Sequence, residues 1–122
     1  MPPSYVHTIM LVDDDKDALD CLRELLVARG YAVAEARDGE QALDYLRHNP
    51  HPCLILLDLM MPRMNGWEFL THKAQDDKLA AVPVVITSGT EENVPTHVAA
   101  IRKPWNIPNL LDLVRKYSLP AP

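Results

Sequence analysis

The chain has 122 residues, 48% of them apolar and 24% charged, with a formal net charge of −5. That is the profile of one globular domain, residues 1–122 with a core over about 7–118, long enough to bury a substantial interior. The acidic balance argues against direct nucleic-acid binding, and no polybasic stretch points to a membrane surface.

His7 to Val12 is the first apolar run, and it ends in Asp13-Asp14-Asp15. It reads as strand one. Lys16 to Arg29 carries Leu19, Leu22, Leu25 and Leu26 at helical spacing, with Asp15 as N-cap and Gly30 as a left-handed residue after the helix. Tyr31 to Ala36 is a short strand. Asp38-Gly39 reads as a turn, and Glu40 to Asn49 as a helix with Ala42, Leu43 and Leu46 inward, stopped by Asn49-Pro50.

Cys53-Leu54-Ile55-Leu56-Leu57 is a continuous apolar run that meets Asp58, and Pro62 and Asn65-Gly66 break the chain after it. Such a run reads as a strand buried on both faces. A helix follows from Gly66 to about Gln75, burying Phe69 and Leu70. Val82 to Thr87 is a fourth strand with Pro83 at its entrance. Ser88 to Pro95 is polar and offers at most one helical turn. Val98 to Ile101 is a brief fifth strand, and the last helix runs near Ile107 to Tyr117, with Ile107, Leu110, Val114 and Tyr117 on one stripe.

Strands alternating with helices predict an α/β fold: a doubly wound, five-stranded parallel sheet with right-handed crossovers. In such sheets the chemistry lies beyond the carboxyl ends of the strands. Those ends carry Asp13-Asp14, Asp58, Thr87 and Lys103. Each residue alone has an ordinary reading: a solvated loop acid, a turn aspartate, a common threonine or lysine. Their convergence at one edge is what makes a site.

Three carboxylates would repel one another if left bare, and a hard divalent cation such as Mg²⁺ relieves this through oxygen ligands. Beside it, Asp58 is a candidate nucleophile toward a phosphoryl donor, forming an acyl phosphate. Lys103 and the Thr87 hydroxyl are placed to meet the phosphoryl oxygens, where positioning and charge neutralisation do most of the catalysis.

Val12-Asp13-Asp14, Asp58-Leu59-Met60-Met61-Pro62-Arg63-Met64-Asn65-Gly66, Ile86-Thr87-Ser88 and Lys103-Pro104 together resemble the response-regulator receiver domain of two-component signalling, over nearly the whole chain. The resemblance implies the flavodoxin-like (βα)₅ receiver sandwich. It implies Mg²⁺ on Asp13, Asp14 and Asp58 with the backbone carbonyl of Met60, phosphorylation of Asp58, Thr87 as switch hydroxyl and Lys103 as the phosphate-pairing cation. It also implies a histidine kinase or histidine phosphotransfer protein as donor, a downstream protein target, and a Lys103-Pro104 peptide bond that is often cis. Such a domain catalyses only its own phosphorylation and dephosphorylation.

Two departures from that pattern stand out. Thr87 to Lys103 is 103 − 87 = 16 residues with Pro95 inside, which predicts a shortened or irregular fourth helix, the one between strands four and five. Ala100 occupies the place, three before the lysine, of the family's switch Tyr or Phe. Asn65 replaces the commoner aspartate before Gly66 and still suits a turn or N-cap. Because family dimers use the altered region, a monomer is expected.

Asp13-x-Asp15-x-Asp17 with Glu24 mimics an EF-hand loop, but Ala18 stands where glycine is required and a helix runs through it. Asp13-x-Asp15 is also similar to the nucleophile motif of haloacid-dehalogenase-type phosphatases, which leaves Asp58 unexplained. Two further readings are a receiver module cut from a larger hybrid kinase or regulator, and a phosphorylation-independent interaction module with a relic pocket. Trp67 is open between partner contact and helix packing, and Trp105 between capping the core and contacting a partner. The five histidines, His7, His48, His51, His72 and His97, read as solvated. Cys21 and Cys53 are expected reduced and packed, and are too few for a zinc site. The first residues lack the basic and apolar stretches of a signal peptide, and no run nears the ~18 apolar residues of a membrane span, so a cytoplasmic location is expected.

Overall fold

A computed structural model describes residues 7–88, 95, 98–103 and 105–118. Five strands and four helices alternate: β1 (Thr8–Val12), α1 (Lys16–Ala28), β2 (Ala32–Ala36), α2 (Gly39–His48), β3 (Leu54–Asp58), α3 (Gly66–Gln75), β4 (Val84–Ser88), β5 (Ala99–Arg102) and α4 (Ile107–Ser118). All strand pairs are parallel, in the order β2-β1-β3-β4-β5. This is the doubly wound sheet the sequence predicts, with the order reversal between β1 and β3. The expected irregular fourth helix, Gly89, His97 and the Lys103-Pro104 bond involve residues outside the described set.

Every residue of β3 is buried, as a central strand covered on both faces must be. Its side chains alternate between two cores. Ile55 and Leu57 join Met10, Val12, Ala42, Leu43, Leu46 and Phe69 beneath α2 and α3. Leu54 and Leu56 join Ile9, Leu11, Leu19, Leu22, Leu26, Leu110 and Val114 beneath α1 and α4. Each of these Leu, Ile, Val, Met and Phe side chains contributes roughly 1.5–3 kcal/mol when fully buried, so the sheet clamps β1 and β3 side by side. β5 is the exposed edge, with Ala99 and Ala100 open to solvent.

The helix ends are set by local chemistry. Asp15 accepts from the backbone N–H groups of Asp17 and Ala18, as expected of an N-cap. Gly30 has φ 91°, the left-handed conformation expected after α1. Asn65 and Glu68 form a reciprocal capping box at α3.

Some expectations are corrected. Asp38-Gly39 is no free turn: Asp38 caps α2, accepting from the Gln41 N–H at 2.9 Å, and Gly39 is the first helical residue. Cys21 is exposed rather than packed, because it lies off the Leu19–Leu22–Leu26 stripe; Cys53 is partly buried, and both are free thiols. Leu70 is only partly buried. His48, His51 and His72 are exposed, whereas His7 is partly buried and His97 is outside the described residues.

Candidate functional site

The ends of four strands build the site. Asp13 directly follows β1, and its backbone N–H is tied to the Ala36 carbonyl at 3.1 Å. Asp58 is the last residue of β3 and is paired in register with Thr87 of β4. Lys103 directly follows β5. Asp13, Asp58 and Thr87 are 4%, 4% and 2% exposed, so all three face inward at the sheet edge, while Asp14 is exposed. The sequence-predicted residues are therefore brought together rather than scattered.

One carboxylate oxygen each from Asp13, Asp14 and Asp58 lies within 4.8 Å of the others. Lys103 Nζ stands 3.0 Å from Asp13 Oδ2 and 3.7 Å from Asp58 Oδ1. Asp13 Oδ1 accepts the Asp15 N–H at 3.0 Å. Each carboxylate oxygen has a second lone pair, so Asp13 keeps capacity for a metal. Three convergent hard oxygens, two of them buried, fit a hard divalent cation of the Mg²⁺ kind. Met60, 58% exposed, lies two residues beyond Asp58 in the loop before α3.

The lysine has a role the sequence did not assign. The sequence points to a phosphate partner only, yet the lysine is bonded to Asp13, 90 residues away in the chain. Its Nζ also lies 5.5 Å from the Trp105 ring centroid, so Trp105 flanks the site as a cation–π neighbour while packing on the core. Trp67 is half-buried and lines a shallow groove with Leu70, Thr71, Ala74 and Pro95.

Three further residues escaped the sequence reading. Arg37 donates to the Asp14 carbonyl at 3.3 Å. With Asp14, Gln41, Pro62 and Arg63 it lines a groove at the mouth of the site. Asp38 is fully buried and accepts from Arg63 Nε at 2.6 Å. The Asp38-x-x-Gln41 spacing was the available signal, since an acid three residues before a Gln marks a helix start.

Burial by itself would raise the Asp38 carboxyl, but the Gln41 N–H and the Arg63 guanidinium together hold it below the ordinary value of 3.8. A depressed carboxylate stabilises the fold above the unfolded value and loses that contribution as pH falls through the folded one. Asp38→Asn is therefore expected to lower the melting temperature at neutral pH, with the gap to wild type closing below about pH 3.8. Melts across pH 2.5–7 check this; a gap that stays constant to the acid end contradicts it.

The sheet order, with acids and a lysine gathered at its carboxyl edge, is that of a receiver-type α/β domain. Residues 9–115 match the family described as the response regulator receiver domain. The chain is 31% identical over 117 residues to the polar-differentiation response regulator DivK of Brucella ovis, covering 90% of this chain and 94% of that protein. Among solved structures, a response regulator receiver protein from Pseudomonas putida superposes with a TM-score of 0.84 at 24% identity, covering 93% of this chain and 99% of that one. The chemotaxis protein CheY4 of Vibrio cholerae gives a TM-score of 0.80 at 24% identity, with the same coverages of 93% and 99%. The chain belongs to the response regulator receiver domain family and is the receiver domain of a two-component response regulator. Among the described residues, no helix is long and apolar enough to cross a membrane.

Proposed function

We propose that the chain is a phosphoacceptor switch of a two-component phosphorelay. Asp58 receives a phosphoryl group from a histidine kinase or histidine phosphotransfer protein, and phosphorylation alters binding to a downstream protein target. The observation that carries this reading is the Asp58 carboxylate, 4% exposed, gathered with Asp13 and Asp14 and 3.7 Å from Lys103 Nζ.

Asp13, Asp14, Asp58 and the Met60 carbonyl are the groups that would hold Mg²⁺. When bound, the cation neutralises the clustered carboxylates and the charge on phosphoryl oxygens. The Asp58 carboxylate oxygen then attacks phosphorus in line with the leaving group. The new O–P bond forms as the donor's bond to phosphorus breaks, and the leaving group keeps the electron pair. Lys103 Nζ, 3.0 Å from Asp13 and 3.7 Å from Asp58, is the candidate cation to pair with a phosphoryl oxygen on Asp58. The Thr87 hydroxyl, in register with Asp58, is the candidate donor to another. Slow attack of water on the acyl phosphate resets the domain, which has no turnover on an external metabolite.

The output step differs from the family's usual one. Ala100 is exposed on β5, where it pairs with Ile86. An alanine has no ring to turn inward when Thr87 moves, so the signal leaves by other residues.

Isothermal titration with Mg²⁺ tests the metal assignment. Asp14→Ala is expected to weaken binding at least about tenfold, which is about 1.4 kcal/mol. Unchanged affinity in the variant would remove Asp14 from the site.

A further inference from the structure

The loop 59–65, between Asp58 and α3, is tied down at three points. At its root, the Gly66 N–H donates to the Leu59 carbonyl at 2.9 Å. At its far end, the Gly39 N–H donates to the Met64 carbonyl at 2.8 Å. The contact is close: a Cβ on Gly39 would lie 2.6 Å from Met64 Cγ. Between them, Arg63 Nε donates to Asp38 Oδ2 at 2.6 Å.

That third tie is unusual in two respects. The Arg63 backbone has φ 60°, the left-handed region that L-residues other than glycine, Asn and Asp seldom adopt. Its partner is a carboxylate with only 1% of its side chain exposed, although the Arg63 side chain is itself 58% exposed. A solvent-facing arginine in an unfavourable backbone conformation is therefore anchored to a buried acid. Asp38 in turn is fixed, because its Oδ1 caps α2 and α2 is held in the core by Ala42, Leu43 and Leu46. The loop thus takes its shape from the rigid start of α2.

We propose that the Arg63–Asp38 pair is a positioning device for the cation site: it holds the 59–65 loop in the shape that presents the Met60 carbonyl to a divalent ion at Asp13, Asp14 and Asp58. This rests on the cation assignment made above. Met60 itself cannot supply the restraint, since its side chain is exposed. A backbone carbonyl acts as a good ligand only when its own support is rigid.

Arg63→Gly separates positioning from stability. Glycine accepts the left-handed conformation freely and removes the whole side chain, the guanidinium with it. Mg²⁺ titration of the unphosphorylated protein is expected to show a dissociation constant raised about tenfold, as loss of a ligand's supporting partner typically gives. The melting temperature of Arg63→Gly in EDTA is expected to fall only slightly, since glycine relieves the left-handed backbone while the buried Asp38 loses one of its partners. Arg63→Lys, which restores a cation opposite Asp38, is expected to recover part of the affinity. Asp38→Asn keeps a good cap but removes the charge. It is expected to weaken Mg²⁺ similarly, and the double variant no further, because the pair acts as a unit.

Unchanged Mg²⁺ affinity in Arg63→Gly would overturn the proposal while leaving the cation site standing. So would losses that simply add in the double variant. Wild-type protein that binds no Mg²⁺ would overturn both the cation assignment and the positioning role.

Discussion

Asp58→Asn is expected to abolish labelling by acetyl phosphate. The substitution is nearly isosteric, so the side chain still fits a position that is 4% exposed. The carboxamide, however, has no anionic oxygen to attack phosphorus and cannot form the acyl phosphate. Lys103 keeps its 3.0 Å bond to Asp13, so the site does not lose all its pairing. Folding is then largely preserved while the chemistry is lost. Phosphate-affinity gel shifts after incubation with acetyl phosphate and Mg²⁺ read this directly, with circular dichroism confirming the fold. Labelling of the variant equal to wild type would place the acceptor elsewhere.

Gly66→Ala is expected to destabilise the fold by about 3 kcal/mol, the upper part of the usual range for overpacking. A Cβ at Gly66 would lie 2.6 Å from the Asp58 carbonyl oxygen and 2.7 Å from Leu59 Cα. Both are backbone atoms of the chain leaving β3, so no flexible side-chain tip can yield. Either α3 shifts outward or the end of β3 is pushed. For a domain of this size that corresponds to a fall in melting temperature on the order of 10 °C. Because the displaced carbonyl belongs to Asp58, the rate of phosphorylation should fall as well. A thermal melt within a degree or two of wild type would show that α3 is free to move away from β3.

The central strand and its acid were legible because burial on both faces leaves an uninterrupted apolar run, Leu54 to Leu57, and only one place for Asp58. The alternation of elements then fixed the sheet, and the sheet put Asp13, Asp58, Thr87 and Lys103 at one edge. Pairings across the chain were not legible. Asp38 and Arg63 are 25 residues apart, and Asp38-Gly39 has the look of a turn until the cap to Gln41 is seen. Nor does the sequence say that Lys103 is bonded to Asp13 as well as lying near Asp58, since that depends on how β5 sits against β4. The exposure of Cys21 is legible in the helical period: its position one residue before Leu22 puts it off the buried stripe of α1.

The switch reading stands on chemistry at one oxygen. Intact-mass measurement of wild-type protein incubated with acetyl phosphate, with Mg²⁺ or with EDTA, tests it most directly. The expected result is a single phosphoryl adduct that forms with Mg²⁺, maps to Asp58, is suppressed by EDTA and decays slowly. No adduct under either condition would contradict it and leave the pocket a relic.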